Sequence, residues 1–446
     1  MARPASRERL LRARRGGADA GARQGAGGGR RVNGAAARVA VTGIGVVTPL
    51  GIGLPAFWDA VLAERVAVAP VTRFDTTGYR SRIAAQIDDF EPRDFVTRKR
   101  LHWTDRFAQF SVAAARLALE DAAYHPNGAS HDVGVYLGSA LGGLAFADEQ
   151  HDVFRERGLD AVKPLLAISV FGGSAACNVA IEFDLRGPTV ANANSCASGA
   201  VAIGEAFRAV ARGDVRAALA GGVEAPLSPL VYGAFTVIRA MSTRNDDAEH
   251  ASRPFDRARD GFVMAEGAGV LLLERLDDAR ARGARIYGEV VGYGLTNDAH
   301  HMSAPRPDAT MNAAAMRRAL DEARLVPDEI DLVNAHGSAT PLGDEAEVLA
   351  MAQVFGEDAT VPVSATKGQH GHALGATGVW EAALSLASIV HGVVPRTVNC
   401  DDADGAFAPT RARLDRPVGT VLSNSAGFGG INAALVFRAV GGNDGD

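Results

Sequence analysis

One cysteine stands in a setting where thiols commonly become nucleophiles. Cys196 follows a run of small and polar residues, 190–195, and precedes a segment with helical apolar spacing through Phe207. At the start of a helix, free backbone N–H groups and the helix dipole favour a thiolate. A buried, inert thiol is the alternative, and the local sequence leaves both open. Cys177, in a helical packing context, and Cys400, in a loop, are expected to be structural.

Two histidines and a glycine-rich sequence follow other predicted strands. His336 and His372 each come shortly after such a strand, and the glycine-rich sequence 423–430 follows a third. Because open α/β sheets place their sites beyond the carboxyl ends of strands, these segments and the cysteine are expected to meet. His370 and His372 also suggest a metal site. No cysteine or carboxylate at ligand spacing completes it, so no metal is expected.

These residues are positioned by short β-branched runs that alternate with alanine-rich amphipathic segments. The pattern predicts helices over 104–123 and 308–324, and strands at 39–43, 133–137, 217–222, 289–293, 331–334, 361–364 and 420–424. Strands that alternate with helices predict an α/β fold with mostly parallel sheets covered on both faces. No linker rich in Pro, Ser or charge divides the body of the chain, which favours two α/β halves that share one core.

The composition is that of a globular protein and excludes several classes. Of the 446 residues, 47% are hydrophobic and 22% are charged, which is enough to bury a core. No apolar run is long enough to span a membrane, and three cysteines cannot form a disulfide framework, so a reducing compartment is expected. Residues 1–37 form an Arg/Gly/Ala-rich extension that we expect to be disordered. The rest of the chain is acidic, which disfavours nonspecific binding to nucleic acid.

Four motifs together resemble the β-ketoacyl-ACP synthases, closest to the type II elongating enzymes of fatty-acid synthesis and their polyketide relatives. They are Cys196 at a helix start, His-Gly-x-x-Thr-Pro-x-Gly-Asp from His336, Lys-x-x-x-Gly-His from Lys367, and Gly-Phe-Gly-Gly-x-Asn-Ala from Gly427. The resemblance covers about residues 38–437, with all four motifs in the family's order. A chance match of four motifs in register is very improbable.

The resemblance implies a fold and a division of the chain. The family has the thiolase fold, an α/β architecture in which two duplicated α/β halves form a five-layered α-β-α-β-α core. An N-terminal half over 38–286 would carry the nucleophile, a C-terminal half over 287–440 the histidine pair, and 441–446 would be a tail. A homodimer is the implied assembly, and a heterodimer with a related subunit is the alternative.

The resemblance also implies a reaction, in which an acyl chain bound to Cys196 is condensed with a malonyl unit that loses carbon dioxide. His336 and His372 would hydrogen-bond the thioester oxygen, and the backbone N–H groups of Cys196 and Phe428 would form the oxyanion hole. By its position in the motif, Lys367 would belong to the catalytic residues. Three buried carboxylates would support them: Glu381, Asp344 and Glu347. The hydroxyls of Ser338 and Thr340 would bind phosphopantetheine. No cofactor is expected beyond the phosphopantetheine that carries the substrates.

Position in the family further implies an acyl pocket and a docking surface. Phe428 would be the gate of the pocket, and Leu141 and Phe235 would line it. Relatives usually have Phe where this chain has Ala426, so we expect a roomier pocket here. The acyl carrier protein is the expected partner, and because carriers are acidic, a local basic patch is required; its residues would be Arg98, Lys99, Arg100 and Arg239.

Three rival interpretations are weaker. A non-catalytic or decarboxylase-only partner subunit of the chain-length-factor type typically lacks the nucleophile, which is present here as Cys196. A degradative thiolase needs a second catalytic cysteine near the C-terminus, where this chain has Gly427–Gly430. A serine hydrolase is disfavoured because no Gly-x-Ser-x-Gly sequence occurs. The sequence therefore predicts an acyltransferase of the cytoplasm, with neither a membrane nor a nucleic acid as partner.

Overall fold

Strands and helices alternate through the residues that a computed structural model describes, which are 36–126, 130–403 and 409–441. Residues 1–35 of the predicted extension 1–37 therefore lie outside the described residues. Residues 442–446 of the predicted tail also lie outside them. The strands are β1 Val39–Thr48, β2 Gly51–Ile52, β3 Val68–Pro70, β4 Ile83–Ala85, β5 Val133–Gly138, β6 Thr189–Asn192, β7 Ala217–Glu224, β8 Gly267–Arg275, β9 Gly288–Asn297, β10 Leu332–Asn334, β11 Val363–Ser364, β12 Val393–Val394, β13 Leu414–Asp415, β14 Thr420–Gly427 and β15 Ile431–Arg438.

The helices include the two segments predicted from apolar spacing, which begin and end within about two residues of the predicted limits. They are α1 Leu54–Leu62, α2 Arg106–Asp121, α3 Leu144–Arg157, α4 Leu166–Ser169, α5 Ser174–Glu182, α6 Ser198–Arg212, α7 Pro229–Val237, α8 Leu276–Ala281, α9 Thr310–Ala323, α10 Pro341–Phe355, α11 Lys367–His370 and α12 Thr377–His391. In the part of the chain that the structure describes, none of these helices is long and apolar enough to cross a membrane.

The strand order shows that the two halves of the chain repeat one topology. The main sheet runs β11-β10-β14-β15-β9-β1-β8-β7-β5-β6, and its halves meet where Val39–Val41 pairs with Gly288–Val290. In the first half β1 and β7 flank β8 antiparallel, while β5 pairs with β7 and β6 in parallel. In the second half β9 and β14 flank β15 antiparallel, while β10 pairs with β14 and β11 in parallel.

The predicted predominance of parallel pairing is wrong, because six of the ten strand pairings described in the main sheet are antiparallel. Only the three residues 428–430 join β14 to β15. Such a loop is far too short for the crossover that a parallel neighbour requires, so β15 returns beside β14 as a hairpin.

The layers also follow the predicted order. The helices α6 and α12 contact strands of both halves and so form the middle layer, whereas α2 covers β1 and β8 and α9 covers β9 and β15 from outside. A strand glycine lies under the helix in both outer layers. A Cβ at Gly45 would lie 1.9 Å from the Ala114 carbonyl oxygen, and a Cβ at Gly294 would lie 1.9 Å from that of Ala315. Only glycine permits a helix to approach a strand this closely. The five-layered duplicated core is present.

Candidate active site

Cys196 lies in a single 3-10 turn, Ser195–Ala197, between β6 and α6. The backbone of Ser195 is left-handed, with φ 53°, and so brings the chain sharply from the strand into the helix. The end of β14 passes directly over this turn: a Cβ at Gly427 would lie 3.1 Å from the Cys196 nitrogen, and the backbone N–H of the next residue, Phe428, favours the charged form of the Cys196 sulfur.

The Cys196 thiol is protonated at neutral pH in the free protein. Burial raises its pKa to about 11, although the Ser195 hydroxyl, the charge of Lys367 and the Phe428 N–H each favour the thiolate. Of the two alternatives that the local sequence leaves open, the free protein therefore has the buried, protonated thiol. The cause is desolvation of the sulfur, which outweighs the neighbouring donors.

The two predicted histidines lie against each other. His336 follows β10 and His372 follows α11, and their ring centroids are 5.3 Å apart with the planes nearly perpendicular. Both side chains are buried, and burial together with the charge of Lys367 lowers the pKa of each well below 6.5. Both imidazoles are therefore neutral at pH 7, so each ring has one N–H donor and one acceptor nitrogen.

Lys367 fixes the orientation of the first imidazole. Its ammonium group contacts the His336 carbonyl oxygen, the Glu381 carboxylate and, at 3.4 Å, the Nδ1 atom of His336. The three donors of an ammonium group account for these three partners. Since Nδ1 of His336 then accepts, its proton lies on Nε2. Nδ1 of His372 is likewise occupied, by the Thr377 hydroxyl at 3.0 Å.

Two buried carboxylates support the loop that follows His336. Glu347 accepts hydrogen bonds from the backbone N–H groups of His336 and Gly337, each at 2.7 Å. Asp344 accepts from Ala339 N at 3.1 Å and from Phe255 N at 2.7 Å. Burial raises the pKa of Asp344 to about 7 and also raises that of Glu347. Both carboxylates stabilise the loop and make no direct contact with the thiol.

One cavity of about 400 Å³ joins several of the predicted site residues. Cys196, His336, Ser338, Thr340, Ala426, Phe428 and Arg239 all line it. The hydroxyls of Ser338 and Thr340 are 2.8 Å apart. His372 is not among these lining residues, but its ring lies against that of His336, which is, and against that of Phe262.

A separate apolar cluster extends from the other side of the thiol. Leu141 and Phe235 pack into the cluster that contains Cys196 and Phe262. The Phe235 ring also stacks on that of Phe428, with centroids 6.4 Å apart and planes 16° from parallel. The predicted lining residues and the predicted gate residue are therefore in contact.

The predicted docking residues do not all have the same environment. Arg98, Lys99 and Arg239 are exposed, and Arg239 lies on the lining of the cavity. The guanidinium group of Arg100 is instead 2.7 Å from the Asn178 amide oxygen and 3.5 Å from the Glu182 carboxylate. Arg100 therefore makes an ion pair within the chain, and its role in docking a carrier stays a prediction.

Sequence reasoning missed Glu224, at the end of β7. Its buried carboxylate accepts from the N–H groups of Ala140 and Leu141, from the Ser139 hydroxyl and from Gly375 N. Glu224 therefore links the loop that contains the pocket residue Leu141 to the turn that follows His372. Burial raises its pKa to about 7. The sequence signal that could have identified Glu224 is an acidic residue at the end of a buried strand.

Similar proteins have been characterised. Residues 36–279 match the family model "Beta-ketoacyl synthase, N-terminal domain", and residues 287–401 match "Beta-ketoacyl synthase, C-terminal domain". The chain is 39% identical over 409 residues to "3-oxoacyl-[acyl-carrier-protein] synthase 2" of Coxiella burnetii, covering 90% of this chain and 99% of that one. It is 40% identical over 407 residues to the protein of that name from Synechocystis sp., covering 90% and 98%.

Solved structures agree with the predicted thiolase fold. A β-ketoacyl synthase from Burkholderia phymatum superposes with a TM-score of 0.84 at 36% identity, covering 91% of this chain and all of that one. A type II PKS ketosynthase, solved with its acyl-carrier protein and bound to the hexaketide, gives a TM-score of 0.83 at 32% identity, with the same coverage. The fold prediction is confirmed.

Proposed function

The chain belongs to the β-ketoacyl synthase family, and on this basis we propose that it is a 3-oxoacyl-carrier-protein synthase of fatty-acid or polyketide-type biosynthesis. The observation that carries the proposal is the single cavity that Cys196 and His336 line together with the hydroxyl pair of Ser338 and Thr340. A phosphopantetheine arm held by these hydroxyls would bring its thioester to the thiol and the imidazole. No cofactor is needed beyond that arm.

The first step transfers the acyl chain to the protein. The Cys196 sulfur attacks the carrier thioester, a new C–S bond forms, and the carrier thiol leaves. Because the pKa of the thiol is about 11, the proton must leave as the sulfur attacks, and it passes to the departing carrier sulfur, which leaves as the thiol. The N–H groups of Cys196 and Phe428 stabilise the oxyanion. Loss of one such donor typically costs about 3–4 kcal/mol in the barrier.

The second step generates the carbon nucleophile. The bond between the α-carbon and the carboxylate of the malonyl unit breaks, carbon dioxide leaves, and the electron pair becomes an enolate on the thioester oxygen. N–H donors from His336 and His372 stabilise that charge, which neutral imidazoles do without a change in net charge. The enolate carbon then attacks the acyl carbonyl, a C–C bond forms, and the Cys196 sulfur leaves.

The proposal includes the assembly and the partner. The edge strand β6 is exposed, as are the nearby apolar side chains of Phe171, Ile181 and Val190. An exposed strand edge with apolar neighbours favours pairing with another chain. We therefore propose a homodimer through β6, with a heterodimer as the alternative, and docking of an acidic carrier at Arg98, Lys99 and Arg239. The chain would divide functionally near residues 286 and 287.

The proposed location is the cytoplasm. All three cysteines are free, and free thiols persist in a reducing compartment.

Intact-mass analysis after incubation with a panel of acyl-carrier proteins tests this function. We expect one acyl group per chain on the peptide that contains Cys196, and its loss on addition of malonyl-carrier. Cys196→Ala should not load, whereas the matched thiol control, Cys177→Ala in α5, should load as the unaltered protein does. Loading elsewhere, or no loading, would overturn the proposal. Loading or decarboxylation without a condensed product would favour the partner-subunit interpretation.

A further inference from the structure

A recess opens from the catalytic cavity beside His336, between α9 and α10. Its walls are small: Ala309 at the start of α9, Ala346 on α10 and Ala426 on β14 line the same cavity as Cys196. The recess is the part of the catalytic cavity lined by these alanines, and it provides space next to the thiol and the His336 imidazole.

The register of β14 shows which way Ala426 faces. The Asn424 side chain donates to the Glu347 carboxylate of α10 at 2.7 Å. Side chains of a strand alternate between its faces, so Ala426, two residues further, faces the same helix. A methyl group at this position leaves the recess open, whereas a ring the size of phenylalanine would fill it.

The recess also has an unsatisfied polar atom. Asn312 of α9 lines the cavity and is only 6% exposed. Among the described residues nothing hydrogen-bonds to its Oδ1. A buried acceptor without a partner is costly, and a donor on a ligand would remove that cost. Oδ1 has less than 1 Å² of accessible surface, so a group that ends in an O–H or N–H would reach it once the amide turns toward the recess.

The recess lies on the side of the extender unit rather than of the acyl chain. Leu141 and Phe235, the predicted acyl-pocket residues, pack in the apolar cluster around Cys196. The recess instead adjoins the loop that carries His336, Ser338 and Thr340. An extender thioester that contacts His336 would place its α-carbon at the opening of the recess.

Building on the proposed function, we propose that this recess binds a substituent on the α-carbon of the extender unit, so that the protein condenses α-substituted malonyl thioesters, with Asn312 favouring a hydroxyl or amino substituent. The bonds are those of the unsubstituted reaction. The α-carbon loses its carboxylate as carbon dioxide, keeps the electron pair and its substituent, and forms the new C–C bond as the C–S bond to Cys196 breaks. The product is a 2-substituted 3-oxoacyl chain.

Competition kinetics with acyl-loaded protein test the proposal. Malonyl-, methylmalonyl- and hydroxymalonyl-carrier are offered, and the kcat/KM ratio of substituted to unsubstituted extender is measured. We expect both substituted extenders to be used within about fivefold of malonyl, since the recess accepts them. Ala426→Phe should lower the ratio at least about tenfold, and Ala426→Val should lower it by less. The matched control is Ala281→Phe, at an exposed alanine that ends α8, and it should leave the ratio unchanged.

Asn312 is tested separately by Asn312→Leu. This change should lower the ratio of hydroxymalonyl to methylmalonyl use about tenfold, because only the hydroxyl donates to Oδ1. An unchanged extender ratio in Ala426→Phe and Ala426→Val, or use of substituted extenders more than about 100-fold below malonyl, would overturn the proposal while leaving the proposed function standing. Failure with all three extenders would overturn both.

Discussion

Replacing Glu347 by glutamine should separate the positioning of His336 from the reactivity of the thiol. The carboxylate accepts three hydrogen bonds of 2.7 Å: Oε1 accepts from the His336 N–H and the Asn424 amide, and Oε2 accepts from the Gly337 N–H. In Glu347→Gln one oxygen remains for the first two donors, while the new amide group faces the Gly337 N–H. Hydrogen bonds to a charged group contribute about 1.5–3 kcal/mol and neutral ones about 0.5–1.5 kcal/mol.

One lost bond and two weakened bonds then lower the free energy of unfolding by about 4 kcal/mol. If about 3 kcal/mol of this holds His336 in place, release of carbon dioxide from malonyl-carrier falls about 100-fold. Acylation of Cys196 should change less than about threefold, because Glu347 does not contact that turn.

The assay compares carbon dioxide release with acyl loading, measured by intact mass on protein whose fold is checked by thermal unfolding. The control is Glu345→Gln, an exposed position on the same helix, which should change neither rate. Equal losses of both rates in Glu347→Gln, or no loss of either, would refute the positioning role.

Three further predictions concern titration and docking. Because burial raises the pKa of the Cys196 thiol to about 11, its alkylation by iodoacetamide should accelerate about tenfold per pH unit between pH 7 and 9; a plateau in this range would contradict the buried thiol. The pKa values of His336 and His372 lie well below 6.5, so carbon dioxide release should persist as the pH falls to 6, and half-loss near 6.5 would disagree. Arg239→Glu should raise the KM for acyl-carrier about tenfold but not that for acyl-pantetheine. Arg100→Glu should instead lower the melting temperature, because the new carboxylate faces Glu182. A raised carrier KM in Arg100→Glu with an unchanged one in Arg239→Glu would contradict these assignments.

The sequence was informative wherever a local pattern and a chemical requirement coincide. Apolar spacing predicted α2 and α9 closely, because a helix that buries one face must repeat its apolar residues about every 3.6 positions. The grouping of Cys196 with His336 was predicted from strand ends, since the carboxyl ends of strands meet at one edge of a sheet.

The features that the sequence did not predict depend on partners far apart in the chain. The raised pKa of Cys196 comes from burial beneath the end of β14, more than 200 residues away in the sequence. Arg100 pairs with Glu182, and Glu224 binds Gly375. A local sequence pattern does not predict which distant carboxylate will pair with a cation. Nor does it predict which loop will donate hydrogen bonds to a buried carboxylate.

The size of the recess shows the same limit. The sequence indicated extra room at Ala426, but the opposite walls come from α9 and α10, and the unpartnered oxygen belongs to Asn312. These residues approach one another because α9 packs on β14 and β15 and also contacts α10. The volume and polarity of the recess are therefore properties of the tertiary structure.

A single-turnover measurement tests the central claim most directly. Protein loaded with one acyl group on Cys196 is mixed with malonyl-carrier, and the bound acyl mass, the released carbon dioxide and the 3-oxoacyl-carrier product are followed together. We expect one acyl group to disappear for each carbon dioxide released and each product formed. Release of carbon dioxide while the acyl group stays on Cys196 would contradict it.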